Sequence, residues 1–319
     1  MGKTAKKWLA AALVLLLLGV LLAGGATLVA AFTSPTDGEY ETSRYDLKDT
    51  VHTLLIITDT AEIRLLPTDG PGYVECYERK NLCHTVEVQD GTLRIEAVDT
   101  RAWYEHIGIW ADAPKVTVYL PAGEYGALAV QTNTGDVTVP KDFQFKSIEV
   151  QATTGDVTSY ASAEKDIFIR TTTGQIRVEN VSTGTLWLSA TTGSITATQV
   201  ACSGNVTADV STGKIRFTGL TCERLTSWGD TGDITLTAVI ARGAITVERS
   251  TGDVTFAGCD AAEIRVETDT GDVEGTLLTE KIFRTATDTG HVNVPATTTT
   301  GGLCQVTTDT GDIRFRIQK

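Results

Sequence analysis

Apolar residues recur along most of the chain in short alternating runs punctuated by glycine corners. Val137 and Val139 flank Thr138 just after Gly135, Ile176 and Val178 flank Arg177 after Gly174, and Ile313 and Phe315 flank Arg314 after Gly311. Period-two alternation is the pattern of a strand with one buried and one wet face. A second alternating pair precedes each corner, as in Leu128 and Val130, Ile148 and Val150, Ile167 and Ile169, or Leu186 and Leu188. The corner, Thr-Gly-x-[Val/Ile], occurs ten times, with its glycine at 135, 155, 174, 193, 213, 232, 252, 271, 290 and 311, a period of 19 to 21 residues. Neither strand of one copy can bury its apolar face alone, but stacked copies align those faces into continuous ladders. The pattern predicts an all-β fold, a β-solenoid of about ten rungs over residues 126–319, at roughly 4.8 Å per rung.

The corner glycine is expected to take a positive φ, which it does without steric cost. The column two residues before it (Asn133, Thr153, Thr172, Thr191, Ser211, Asp230, Ser250, Asp269, Asp288, Asp309) is expected to hydrogen-bond the turn backbone. Residues 51–125 alternate less regularly and read as a β cap region that covers the first rung's open edge. Within it Asp90-Gly91, between Val86-Glu87-Val88 and Thr92-Leu93-Arg94-Ile95, is a hairpin signal. Residues 33–50 read as a polar stalk. Residues 8–32, WLAAALVLLLLGVLLAGGATLVAAF, carry no charge and would span about 37 Å as a helix, enough to cross a bilayer. With Lys3, Lys6 and Lys7 before that segment and Asp37, Glu39 and Glu41 after it, residues 1–7 are expected in the cytoplasm and the bulk outside. The expected location is therefore the cell membrane, single-pass, through a retained signal-anchor; its length argues against a cleaved signal peptide.

The recurring TTGDV-type corners, Ile107-Gly108-Ile109-Trp110 followed by Lys115-Val116-Thr117-Val118-Tyr119-Leu120-Pro121, and Gly126-Ala127-Leu128 leading into the first rung together resemble the bacterial putative adhesin family of β-strand-repeat proteins, a domain of unknown function. The resemblance covers residues 50–319. It implies a solenoid-like fold displayed at the cell envelope, with some relatives linked to envelope-stress responses, and it brings no catalytic residues.

Charge narrows the partners. The chain carries −13, and beyond the three leading lysines 24 basic side chains face 40 acidic ones. Such a surface disfavours nucleic acid and leaves cations, neutral glycans and proteins. Asp follows the corner glycine at Asp136, Asp156, Asp233, Asp253, Asp272 and Asp312. Stacked about 5 Å apart, these carboxylates could hold a Ca²⁺ ladder or serve a plain turn; Gln175, Ser194, Lys214 and His291 interrupt the column and favour the turn. No other cofactor is indicated. Among six cysteines, Cys202 and Cys222 share one register a rung apart, and Cys76 and Cys83 could pair across a short hairpin, so both pairs are disulfide candidates. A zinc set of Cys76, Cys83, His84 and His106 has no standard spacing.

Phe168 and Trp187 fall on outward positions of adjacent rungs, with Trp228 two positions along and two rungs further. Aligned surface aromatics are a means of gripping sugar faces or apolar patches, and these three are the candidate binding residues. Catalysis requires different acids, bases or metal ligands converging in a cleft. This chain repeats one corner with little variation and has only four histidines, so an enzyme is not expected. The expected function is a non-catalytic, membrane-anchored envelope protein whose solenoid surface binds or senses. The alternative is a structural spacer or scaffold for a membrane protein partner, with a polysaccharide-acting enzyme ranked after it.

Overall fold

A computed structural model of the chain describes residues 40–100 and 113–318. These residues form 25 strands and no helix. The predicted anchor at 8–32, the motif Ile107–Trp110 and His106 lie outside the described residues. Among those described, no helix is long and apolar enough to cross a membrane.

The two apolar columns read from the sequence run along the solenoid as parallel ladders. Before the corner, Leu128, Ile148, Ile167, Leu186, Val206, Leu225, Ile245 and Ile264 are neighbours on successive rungs. After it, Val137, Val157, Ile176, Ile195, Ile215, Ile234, Val254 and Val273 do the same. All sixteen are buried, and each aliphatic side chain removed from water contributes about 1.5–3 kcal/mol. The ladders are therefore the main source of cohesion.

The corners stack as closely as the strands. The Gly155 amide donates to the Thr173 carbonyl at 2.9 Å, and the Val157 amide to the Gln175 carbonyl at 2.8 Å. Gly155 has φ +143°, and a Cβ there would run into the carbonyl of Gly135 on the preceding rung. The glycine thus answers two demands, a positive φ and a backbone approach that leaves no room for a side chain.

Each corner aspartate reaches across to the adjacent rung. The carboxylate of Asp136 accepts the amide of Asp156 at 2.8 Å, Asp156 that of Gln175 at 2.7 Å, Asp253 that of Asp272 at 2.9 Å and Asp272 that of Asp312 at 2.8 Å. From the opposite side, the Thr171 hydroxyl donates to the Gly155 carbonyl and the Thr308 hydroxyl to that of Gly271, both at 3.2 Å. The corner's polar backbone is met by residues one after and three before the glycine, in place of the column two before it. From that column Asn133 bonds the Asp59 carboxylate, a side-chain partner.

Both ends depart from simple stacking. Thr53–Thr58 and Glu62–Pro67 form an extra rung beneath the Gly135 rung, and Thr92–Asp99 with Lys115–Leu120 form another beneath that. Antiparallel strands Leu82–Gln89, Tyr73–Glu78 and Glu41–Asp46 then pair on this end, using edges that would otherwise template another chain. The hairpin at Asp90-Gly91 forms, with φ of 51° and 74°. A third of the expected stalk, Glu41–Asp46, belongs to this sheet: Ser43, Tyr45 and their neighbours pair with Cys76 and Val74, and Tyr45 packs on the core. At the other end the last rung is inserted out of order. Gly302–Thr310 pairs with both Val254–Thr270 and Lys281–Thr289, so the Gly311 rung lies between those of Gly271 and Gly290.

Candidate functional site

The three candidate aromatics fall on one solenoid face, as their register requires. Phe168 pairs with Trp187, which leads through Thr207 to Thr226, two residues before Trp228. Their surroundings differ. The rings of Phe168 and Trp187 stack with centroids 4.2 Å apart and planes 4° from parallel, so each covers one flat face of the other. Trp228 is 39% exposed and stands in an acidic column, with Asp209 and Glu248 as its register neighbours and Glu267 one rung further.

Beneath this column lies a side chain that the periodic reading passes over. The inward position three before the corner is filled by Ala152, Thr171, Ala190, Val210 and Thr268 on other rungs, but on the Gly252 rung it is Arg249, only 3% exposed. Its neighbour on the preceding rung is Gly229, where a Cβ would strike both the Val210 carbonyl and the guanidinium. The missing side chain opens the path by which Arg249 Nη1 donates to the Val210 carbonyl at 2.8 Å. Arg249 Nε and Nη2 have no hydrogen-bond partner. Burial holds the guanidinium below its ordinary pKa, opposed by the charges of Asp230, Asp209 and Asp233. Two unsatisfied charged donors are costly inside a protein, and such an expense points to a ligand or to function.

Trp228, Arg249, Asp209, Asp230, Glu248, Glu267 and Asp269 line one groove of about 440 Å³, a volume suited to a small ligand. Ionised carboxylates only accept hydrogen bonds, so a ligand fitting here must present hydroxyl or ammonium donors, while the indole offers a face for apolar C–H groups or a cation. No histidine or cysteine lines the groove among the described residues.

The proposed calcium ladder meets a competing use of its oxygens. One oxygen each of Asp136, Asp156, Asp233, Asp253 and Asp272 accepts a backbone amide, and Lys214 sits 2.9 Å from Asp233. The single convergent group of metal-ligand side chains among the described residues lies elsewhere, at Cys76, Glu78 and His84. As for the disulfide candidates, the six cysteines stand as free thiols in this structure. Cys202 and Cys222 do lie a rung apart in the expected register, but the Cys202 thiol turns to the Gly184 carbonyl at 3.3 Å. Cys83 occupies the strand face opposite His84, and Cys76 turns toward Glu78 and His84.

The sequence model of the Toastrack DUF4097 family matches residues 52–210 and 202–319. No curated protein sequence matches. Among solved structures, a putative adhesin from Bacteroides fragilis is 15% identical, with a TM-score of 0.43 over 87% of this chain and 97% of its own. A putative adhesin from Parabacteroides distasonis is 15% identical, with a TM-score of 0.46 over 75% and 98%. A putative lipid binding protein from the same species is 15% identical, with a TM-score of 0.39 over 75% and 97%.

Proposed function

We propose, from the premise that the chain belongs to the Toastrack DUF4097 family, that this solenoid is a non-catalytic binding surface of the cell envelope. The ligand class is a neutral or amino-bearing glycan taken into the Trp228 groove. The observation that carries the reading is the exposed indole set in an acidic column along a groove. A sugar ring would lay its C–H face on Trp228 and give its hydroxyl protons to Glu248 and Glu267. Anionic polymers would be repelled by the same carboxylates.

The apolar segment 8–32 with its flanking charges supports a single-pass anchor that displays the solenoid outside the membrane. A spacer is the competing role.

Co-sedimentation of the detergent-purified full chain with cell-wall and membrane fractions, with and without Ca²⁺, separates the two. Saturable binding to the wall fraction supports the surface reading; no binding to any fraction leaves the spacer. Binding that requires Ca²⁺ would return the aspartate column to the site.

A further inference from the structure

We propose that Cys76, Glu78 and His84 form a binding site for a divalent transition-metal ion of the zinc class, located in the cap and independent of the Trp228 groove. The three side chains are buried, at 0%, 4% and 3% exposure, and their ligand atoms all lie within 4.8 Å of one another. Thiolate, imidazole and carboxylate are the donors that such ions take, at about 2.0–2.3 Å, which places tetrahedral ligands about 3.3–3.8 Å apart. To reach that spacing the His84–Glu78 contact, now 2.7 Å, would open by about half an ångström and the longer separations would close by about 1 Å.

Three observations favour an ion over a simple buried hydrogen bond. The first is the direction of the sulfur. Cys202 and Cys259 aim their thiols at backbone carbonyls, whereas Cys76 converges on a carboxylate and an imidazole. The second is the imidazole's support. His84 Nε2 lies 2.9 Å from the Thr58 hydroxyl and Nδ1 2.7 Å from Glu78. With the ring proton on Nε2 and donated to Thr58, Nδ1 presents its lone pair to the other two ligands, the outer support that metal-bound histidines commonly have. The His84 amide also donates to Glu78 at 2.8 Å, fixing the carboxylate. The third is charge, because a dication with one thiolate and one carboxylate is neutral, and a buried site tolerates neutrality best.

The binding step balances as M²⁺ + Cys76–SH giving Cys76–S–M⁺ + H⁺, the proton leaving to solvent and the Glu78 carboxylate supplying the second negative charge. The ligands and their support come from three strands, Thr53–Thr58, Tyr73–Glu78 and Leu82–Gln89, so a bound ion would pin the cap that closes the solenoid.

The test is titration of the reduced, metal-free full chain with Co²⁺ followed by Zn²⁺ displacement. The expected result is one equivalent bound, with a thiolate-to-cobalt charge-transfer band that Zn²⁺ removes. Cys76→Ser should abolish the band and Cys202→Ser should leave it. Thr58→Val, close to isosteric, should keep the band while weakening affinity about 10–100-fold. Zn²⁺ should raise the Tm of the wild type and not of Cys76→Ser. A folded wild type that gives no thiolate band overturns the proposal, as does a band surviving Cys76→Ser. The wild-type titration decides the matter even where Cys76→Ser fails to fold.

Discussion

Replacing Gly174 by alanine tests the close stacking of the corners. Gly174 has φ +148°, and an added Cβ would enter the carbonyl of Gly155, which no rotamer can relieve because both partners are backbone. A side chain held at such a φ costs about 1–3 kcal/mol, and overpacking against a fixed neighbour about 1–3 kcal/mol more. The expected loss is therefore about 2–6 kcal/mol, a large part of the roughly 5–15 kcal/mol that stabilises a typical domain. Urea unfolding of the full chain, followed by far-ultraviolet circular dichroism, reads the loss as a lowered midpoint. A split transition would show that the two halves of the rod had uncoupled, since each rung touches only its neighbours. Gly70→Ala is the reference: it sits in a surface turn where an added Cβ comes no nearer than 3.9 Å to Thr68 Oγ1, and its effect should stay within about 0.5 kcal/mol. Equal midpoints for the two variants would refute the close-approach argument.

Other expectations separate the remaining parts of the account. Two corner carboxylates lie below the ordinary aspartate range: the His291 backbone amide is the leading cause at Asp312, and the Lys214 side chain is the leading cause at Asp233. A depressed folded-state pKa gives stability that is complete above the unfolded value of about 3.9 and lost as pH falls through the folded value. Asp233→Asn should accordingly flatten the acid limb of a Tm-against-pH curve; an unchanged limb would contradict the pairing of Asp233 with Lys214. Burial is the main cause that pushes the Cys222 and Cys304 thiols up to about 12, so neither should react with iodoacetamide at pH 8 until the chain unfolds. Rapid native labelling would count against the packed core. Trp187→Ala should destabilise by about 0.5–1.5 kcal/mol beyond its lost burial, through the stacked pair with Phe168, and leave glycan affinity unchanged; a lost affinity would place that pair in the binding face.

The solenoid was legible because each rung states it again. Ten corners with two alternating strands per copy specify which residues share a column, and the structure places Leu128 through Ile264 on one ladder as the spacing requires. What stayed hidden is what a periodic signal cannot carry. Identical corners do not encode stacking order, so the insertion of the Gly311 rung between those of Gly271 and Gly290 leaves no trace in the repeat. The aspartate column was visible as a column, but whether its oxygens face a cation or the next rung's amides depends on distances that sequence does not hold. Arg249 and Gly229 are single departures from their columns, and only the contact between adjacent rungs explains both at once. Cys76, Glu78 and His84 meet because the tight turn closed by the Arg79–Leu82 bridge brings the ends of two successive strands together, at a spacing that matches no known motif. Tyr45 similarly reveals its place in the cap sheet only through its pairing with Val74.

The central claim is recognition at the Trp228 groove, and the most direct measurement is a binding isotherm of the full chain on cell-wall glycan, run side by side for wild type and Trp228→Ala with matched thermal melts. The account predicts saturable wild-type binding that weakens about thirtyfold in the variant, the equivalent of about 2 kcal/mol for a central aromatic contact, with the melts superimposed. Equal affinity in the two proteins, or no saturable binding by the wild type, would contradict it.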